Sequence, residues 1–498
     1  MDIKLNFEQY RDKVYACWMG KNIGGTMGAP YEGTKEYLDV KGYATREGEV
    51  LPNDDLDLQL AWLIAAERCG VTRVNAKALA EHWLLFICPH WNEYGIGKAN
   101  LKMGLLPPLS GDYHNDWKHS NGAWIRTEIW ACINPGRPDV AAKYAIEDAC
   151  IDHGTGEGTY AAIFVAALQS AAFVLNDLRQ CIAVALSKIP ADSRMARSVR
   201  LTIDCYDKGL TARETRDTIQ KSNADIGDGW FEAPSNVSYV VLGLLYGEGD
   251  FKRSMIEAIN CGDDTDCTAG TVGATFGILH GMKAFPEDWV KHIGSEIVTL
   301  SLDRGTLTEV PKSCTELTER VVALAQRTVT AGHLYPVWNG KDTVRFTEGQ
   351  DEIPENAYEA FLACNLVKER MQELLPNSFT ETCDFMRVTA VMDDGVDIVP
   401  NSELKFRLQF RTNNDLTQWN VPIRAHVRFL LPDGFSVSGR KSAFLSGYQP
   451  SRRPDGAFAE EEYVLTVGEN VESRNRVVVE VTADGHVQSV YLPIVLIG

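Results

Sequence analysis

Asn53-Asp54-Asp55 and Asp264-Thr265-Asp266 lie more than two hundred residues apart, and each stands at the head of an apolar, helix-patterned stretch. If folding joins the two helix starts, four carboxylates converge on one point. Like charges a few ångströms apart repel, so such a cluster either takes up protons or recruits a cation. Oxygen donors of this kind suit magnesium, manganese or calcium better than zinc.

The first segment runs on into LDLQLAWLIAAE, where Leu58, Ala61, Trp62 and Ala65 share one helical face. Taken alone, its acids also fit a plain helix cap favoured by the macrodipole. The second, CGDDTDCTAGTVGATFGILHG, sets Asp263, Asp264 and Asp266 before a helix whose Gly270, Gly273 and Gly277 admit a close neighbour. Capping needs one acid, and three stand here within four positions. Exposed N–H groups at a helix start orient carboxylates while leaving oxygens free for a cation, which favours metal binding.

A third stretch, GKNIGGTMGAPYEG, carries Gly20, Gly24, Gly25 and Gly28 ahead of Glu32. Glycines so placed serve helix packing or a turn as readily as a phosphate, and no GK[ST] follows them. Glu32 therefore gains interest from the other two motifs.

These segments need a scaffold, and the pattern supplies a helical one. From residue 7 to about 330, apolar residues recur at three and four residue intervals with Gly or Pro at the breaks. Helices are predicted at Ala76 to Cys88, Asp139 to Ile151, Thr159 to Leu175, Leu178 to Leu186, Arg213 to Lys221, Ser238 to Tyr246 and Thr268 to Gly281. So many helices with short joins imply an all-α domain over 1–330. A connector, 331–380, holds a predicted helix from Pro354 to Leu375.

Beyond residue 380 the period becomes two. Leu404, Phe406, Leu408 and Phe410 alternate with polar residues, as do Ile423, Ala425, Val427 and Phe429. Asp394-Gly395, Asp433-Gly434, Asp455-Gly456 and Asp484-Gly485 mark turns, so 381–498 is expected to form a small antiparallel β-sandwich.

The chain of 498 residues is 45% apolar, enough for more than one core. Its net charge of −19 argues against nucleic-acid wrapping and against binding to an anionic membrane, both of which need basic surface. The 12 cysteines are scattered without a CxxC pair and are read as reduced thiols. No signal-like start and no run of about 18 apolar residues is present, so a cytoplasmic location is expected.

In this order the three motifs resemble the ADP-ribosylglycohydrolase family, which includes dinitrogenase-reductase-activating glycohydrolases, ADP-ribosylarginine hydrolases and a lens crystallin. The family's GxPxE is matched by Gly28-Ala29-Pro30-Tyr31-Glu32. Its Thr-Asp-Asp-Thr motif resembles Asn53-Asp54-Asp55-Leu56, and its Gly-Asp-x-Asp-Thr signature resembles Asp263-Asp264-Thr265-Asp266-Cys267. Ser120 to Arg126 is similar to its GNGAxxR stretch, Asp152-His153-Gly154 through Glu157-Gly158 to its DAxxxH…GxxG segment, and Pro234-Ser235-Asn236 to a stretch before the last motif. The likeness spans about residues 10 to 330 and leaves out the β-rich remainder.

The resemblance implies an all-α hydrolase with two adjacent Mg2+ or Mn2+ ions held by Asp54, Asp55, Asp264 and Asp266. It adds Asn53 and Cys267 as neighbouring ligand positions, and Asn121, Gly122, Arg126, His153, Gly156 and Glu157 as substrate-binding positions. Metal ions in such a centre fix the ribose cis-diol, polarise the sugar and lower the pKa of bound water. Glu32 or Asp55 would then handle the proton. Three positions depart from the family pattern: Asn53 offers a neutral amide oxygen, Leu56 removes a hydroxyl, and the sulfur of Cys267 matches magnesium poorly.

The loop PPLSGDYHNDWKHS, with Tyr113, His114, Trp117 and His119, fits either a substrate lid or a surface loop with ordinary buried aromatics. Arg126 fits either a phosphate ligand or a structural ion pair. His153 is a pocket candidate against the commoner role of a hydrogen-bonded structural group. GxSxG is absent and Cys267 sits among acids, so covalent catalysis is not expected. In the β-region, Trp419 and Arg452-Arg453 read as solvated loop residues rather than a binding surface.

The expected function is removal of ADP-ribose from a protein or small molecule by a metal-dependent glycosidase. The alternatives are hydrolysis of another furanoside on the same scaffold, or a non-catalytic binding or structural relative. The expected partner is that substrate, without nucleic acid or membrane, and homo-oligomerisation stays open.

Overall fold

Spaced glycines let the Phe7–Gly28 helix lie backbone to backbone on the Thr265–His280 helix. A Cβ added at Gly20 would stand 2.1 Å from the Gly273 carbonyl oxygen, and one at Gly24 would stand 2.3 Å from the Ala269 carbonyl carbon. At Gly28 the same atom would meet the Thr265 carbonyl oxygen at 2.3 Å. Larger residues would force the helices apart, and both helices are buried along most of their length. The end of the Phe7–Gly28 helix is thereby held against the start of the Thr265–His280 helix.

The computed structural model describes residues 1–227, 230–303, 305–330, 343–412, 423–445 and 457–498. They fall into two units, 1–98 with 114–373 and 99–113 with 374–498. The first is helical. Its helices include Asp54–Cys69, Ala76–Phe86, Pro138–Ala149, Glu157–Ala172, Leu178–Leu186, Ala212–Ser222, Ala233–Tyr246 and Thr265–His280. Capping residues set several starts: Asn53, Asn75, Asp177, Ser193 and Asp250 each accept a backbone N–H, and Thr211 with Glu214 forms a full capping box. Among the described residues no helix is long and apolar enough to cross a membrane.

Strand β1 (Asp2–Asn6) pairs in parallel with β2 (Thr343–Thr347) inside this unit. The helix predicted from Pro354 to Leu375 is two helices, Ala357–Ala363 and Leu366–Glu373, broken at Cys364. The break has a partner. The buried Lys188 ammonium donates to the carbonyls of Phe361 and Cys364 and pairs with Asp139 at 2.7 Å, so the chain unwinds where that cation needs oxygen.

The second unit is a sandwich of antiparallel sheets. Five strands, β3 (Ser378–Thr382), β4 (Met386–Met392), β5 (Glu403–Thr412), β7 (Ser436–Gly439) and β9 (Phe458–Thr466), run in the order β3-β4-β5-β9-β7. The other four, β6 (Ile423–Leu430), β8 (Ser442–Leu445), β10 (Arg474–Ala483) and β11 (Val490–Ile497), run β11-β10-β6-β8. Leu404, Phe406, Leu408 and Phe410 point inward as the alternation requires, and Gly395, Gly434 and Gly485 take positive φ in the turns. Leu105 and Leu109 belong to this core, and Tyr113 packs on it while its hydroxyl donates to Asp397 at 2.6 Å. Trp419, Arg452-Arg453 and the Asp455-Gly456 turn lie outside the described residues.

Candidate metal centre and pocket

The glycine-lined crossing sets Glu32, just past the Phe7–Gly28 helix, beside Asp264 and Asp266 at the start of the Thr265–His280 helix. Ligand oxygens of Glu32, Asp264 and Asp266 come within 4.8 Å of one another. A second group with the same spread joins Asp55, Asp266 and Cys267. The two groups share Asp266.

Asn53 caps the Asp54–Cys69 helix. Its side-chain oxygen accepts the Asp55 N–H at 2.8 Å, while its amide nitrogen faces the bare backbone of Gly25. The cap turns Asp55 inward, where it is fully buried. Asp54 looks into the pocket and accepts a hydrogen bond from the Tyr94 hydroxyl at 3.2 Å. Asp57 turns the other way and accepts the N–H groups of Leu300 and Ser301, fixing the loop that carries Leu300 to the pocket wall.

At the second helix start, Asp263 has φ +63 and faces away, accepting from Phe231 N and from the Asn236 amide. Its neighbour Asp264 accepts from the Asn121 amide at 2.6 Å. Asn121 is held in turn by the Trp124 indole N–H at 2.9 Å. One oxygen each of Asp264 and Asp266 is buried with no hydrogen-bond partner.

Crowding of uncompensated carboxylates shows in their acidity. Burial, then Asp55 and Asp266, hold Asp54 well above the usual carboxylate range. Burial pushes Asp266 up to about 6 with help from Glu32, and burial, then Asp266 and Glu32, hold Asp264 well above the usual carboxylate range. Burial also raises Asp55, to about 6, against the pull of Lys21. Glu32 is raised by partial burial and by Asp55. Burial and the surrounding acids push the Cys267 thiol far up, so it stays protonated beside Asp55, to which it donates at 3.2 Å.

Above this floor opens a cavity of about 330 Å³, lined by Glu32, Asp54, Asn121, Gly122, Asp264, Asp266 and Cys267 among others. Trp91, Tyr94 and Phe231 add aromatic walls, and Glu93 and Ser120 add polar ones. Volume and lining suit a small polar ligand. Gly122 gives Glu93 and Tyr94 their room: a Cβ there would stand 2.2 Å from the Glu93 carboxylate and 2.6 Å from the Tyr94 ring.

The remaining expected positions stand behind the wall. Arg126 is fully buried and pairs with Asp148 at 2.8 Å and Asp152 at 2.7 Å, over the Trp83 ring. That makes it the structural ion pair, with its guanidinium committed inward. His153 lies 2.9 Å from Asp152 and 3.2 Å from the Ser120 hydroxyl, and so reaches the pocket through Ser120. Gly156 precedes the Glu157–Ala172 helix, pressed on the Lys118 carbonyl. Glu157 accepts the N–H groups of Arg194 and Met195, fastening another helix start, and does not line the cavity. In the loop read as a candidate lid, Tyr113 belongs to the β-sheet unit and His119 accepts the Glu157 N–H at 3.1 Å.

Sequence reasoning passed over Glu93 and Tyr94 and gave no role to Ser120 and Lys21, although both fall inside stretches quoted above. Glu93 and Tyr94 lie in an ordinary helical pattern without a motif of their own.

A family model for ADP-ribosylglycohydrolase matches residues 7–329, which takes in every residue of the acidic floor. The chain belongs to the ADP-ribosylglycohydrolase family. The match ends before the β-sandwich, as the family likeness in the sequence does. The fold follows as expected, helical first and β-sheeted after. Family membership supports a hydrolytic, glycohydrolase-type enzyme. A solved structure described as an ADP-ribosylglycohydrolase-related protein complex is similar at 18% identity, with a TM-score of 0.42, over 64% of this chain and 97% of that one. No curated protein matches in a direct sequence comparison.

Proposed function

We propose that this protein is a divalent-metal-dependent hydrolase of a glycosidic bond to ribose, with ADP-ribose on a protein or small molecule as its foremost substrate. One observation carries this reading: buried, unpartnered oxygens of Asp264 and Asp266 at the floor of a pocket that also holds Glu32 and Asp54. Hard oxygen donors left without protein partners fit Mg2+ or Mn2+. Such an ion would be held by Glu32, Asp264 and Asp266, and when bound it supplies Lewis acidity and a more acidic water.

The chain's own residues supply the rest. Asn121 fixes the direction of the Asp264 carboxylate. The Tyr94 hydroxyl does the same for Asp54. Glu32, raised and open to the pocket mouth, is placed to take a proton from water, and the buried Glu93, also raised by burial, is placed to give one to a departing group. Trp91, half exposed, and Phe231 offer faces to a sugar or base.

A second reading has its own support. No lysine or arginine lines the pocket among the described residues, and Arg126 is committed to Asp148 and Asp152. A site without a cation suits a furanoside that carries no pyrophosphate. Hydrolysis of ADP-ribosyl-arginine, ADP-ribosyl-serine and a panel of aryl ribofuranosides, each with Mn2+ and with chelator, separates the two. Turnover of the ADP-ribosyl substrates only supports the first reading, and turnover of aryl furanosides only supports the second. Activity undiminished by chelator refutes the metal dependence.

A further inference from the structure

Asp55 takes a hydrogen bond on one oxygen and faces a buried ammonium with the other, which has no hydrogen-bond partner. The Cys267 thiol lies 3.2 Å from Oδ1, and the Lys21 ammonium lies 3.3 Å from Oδ2. Lys21 is fully buried in the middle of the glycine-rich Phe7–Gly28 helix. A built seat receives it: the Ile125 carbonyl at 2.7 Å, Glu128 Oε1 at 3.2 Å and Thr271 Oγ1 at 3.2 Å. Gly270 leaves room for its stem, since a Cβ there would come within 3.2 Å of Lys21 Cδ. Glu128 is itself fixed by Gln59 at 2.8 Å.

The two ligand groups of the floor are therefore unequal. Both groups hold buried oxygens without a hydrogen-bond partner, but no lysine or arginine pairs with Glu32, Asp264 or Asp266 among the described residues. Asp55, Asp266 and Cys267 offer a sulfur where a hydroxyl would suit a hard ion, and their Asp55 already faces an ammonium. A dication there would sit close to a fixed positive charge in a water-poor setting, where such repulsion is strong.

We infer that Lys21 takes the electrostatic place of one ion of the two-ion centre that the family likeness implies, leaving a single divalent ion at Glu32, Asp264 and Asp266. Lys21 is thus a positioning residue for Asp55. This rests on the metal-dependent reading above.

The test counts ions on the full-length protein after chelator treatment. Mn2+ titration followed by calorimetry and electron paramagnetic resonance should give one ion per chain and the spectrum of isolated Mn2+. Two ions per chain with an exchange-coupled spectrum would overturn the inference while leaving metal dependence intact. No bound Mn2+ at all would overturn metal dependence and the inference together. The paired variant Lys21→Met with Glu128→Gln removes one buried cation with one buried anion. It should take up a second Mn2+, and a count that stays at one would show that Lys21 is not what excludes it.

Discussion

The Asn121 amide donates to Asp264 at 2.6 Å, joining the loop after Ser120 to a helix start more than 140 residues further on. The bond leaves the other Asp264 oxygen buried and without a partner. Asn121 thus aims a carboxylate, as the groups that support metal ligands do. Asn121→Ala is expected to weaken Mn2+ binding by about 10–100-fold. Calorimetric titration checks it, with circular dichroism showing that the fold persists.

Asp266 stands in both ligand groups, and its carboxyl is pushed up to about 6 by burial and Glu32. A raised carboxyl pKa means that the folded, metal-free protein binds more protons than the unfolded chain between about 4 and 6, so its stability falls as pH rises through that window. Asp266→Asn should therefore stabilise the metal-free protein at pH 8 by roughly 1 kcal/mol or more. The same variant should lose the rise in melting temperature that Mn2+ gives the wild type. Thermal melts with chelator and with Mn2+ report both. A variant that is less stable in chelator and still responds to Mn2+ would contradict the expectation.

Arg126 is closed in by Asp148, Asp152 and Trp83, so its removal strands two buried carboxylates. Arg126→Ala is expected to cost about 3–5 kcal/mol in urea unfolding. Arg126→Lys should recover part of that stability without recovering the forked geometry. A substrate ligand would behave otherwise, with KM raised and stability kept.

His119 offers a test in acid. Burial holds its pKa down to about 4, and its ring accepts the Glu157 N–H. A depressed histidine leaves the unfolded chain with the extra proton between about 6.5 and 4, so stability present above 6.5 is lost as pH falls through that window. His119→Gln should flatten the fall in melting temperature between pH 7 and 4.5. An unchanged slope would show that the ring is not the group responsible.

Much of this was legible in the residues. Glycines three or four apart in GKNIGGTMGAPYEG and in the segment after Asp266 leave room for close helix contact, and the fold pairs these two helices with each other. Alternation in β5 and β6 and the Asp-Gly turns announce the sandwich. Other features were hidden for physical reasons. A lysine normally projects into solvent, so Lys21 gives no local sign of its buried seat, whose acceptors come from residues 125, 128 and 271. Leu105 and Leu109 look like loop residues because the core they join is formed by strands some 270 residues later. For Arg126 and Glu157, a motif likeness gives position along the chain but not the direction of the side chain.

The parallel pairing of β1 with β2, and the hold of Lys188 on the carbonyls of Phe361 and Cys364, bear on where this protein can be cut. Cleavage at residue 330 would keep every acid of the floor yet deprive the amino-terminal strand of its mate and a buried ammonium of its acceptors. Such a fragment would expose a bare strand edge, an invitation to clump. The helical unit therefore runs well past the last residue of the family match, through the Leu366–Glu373 helix.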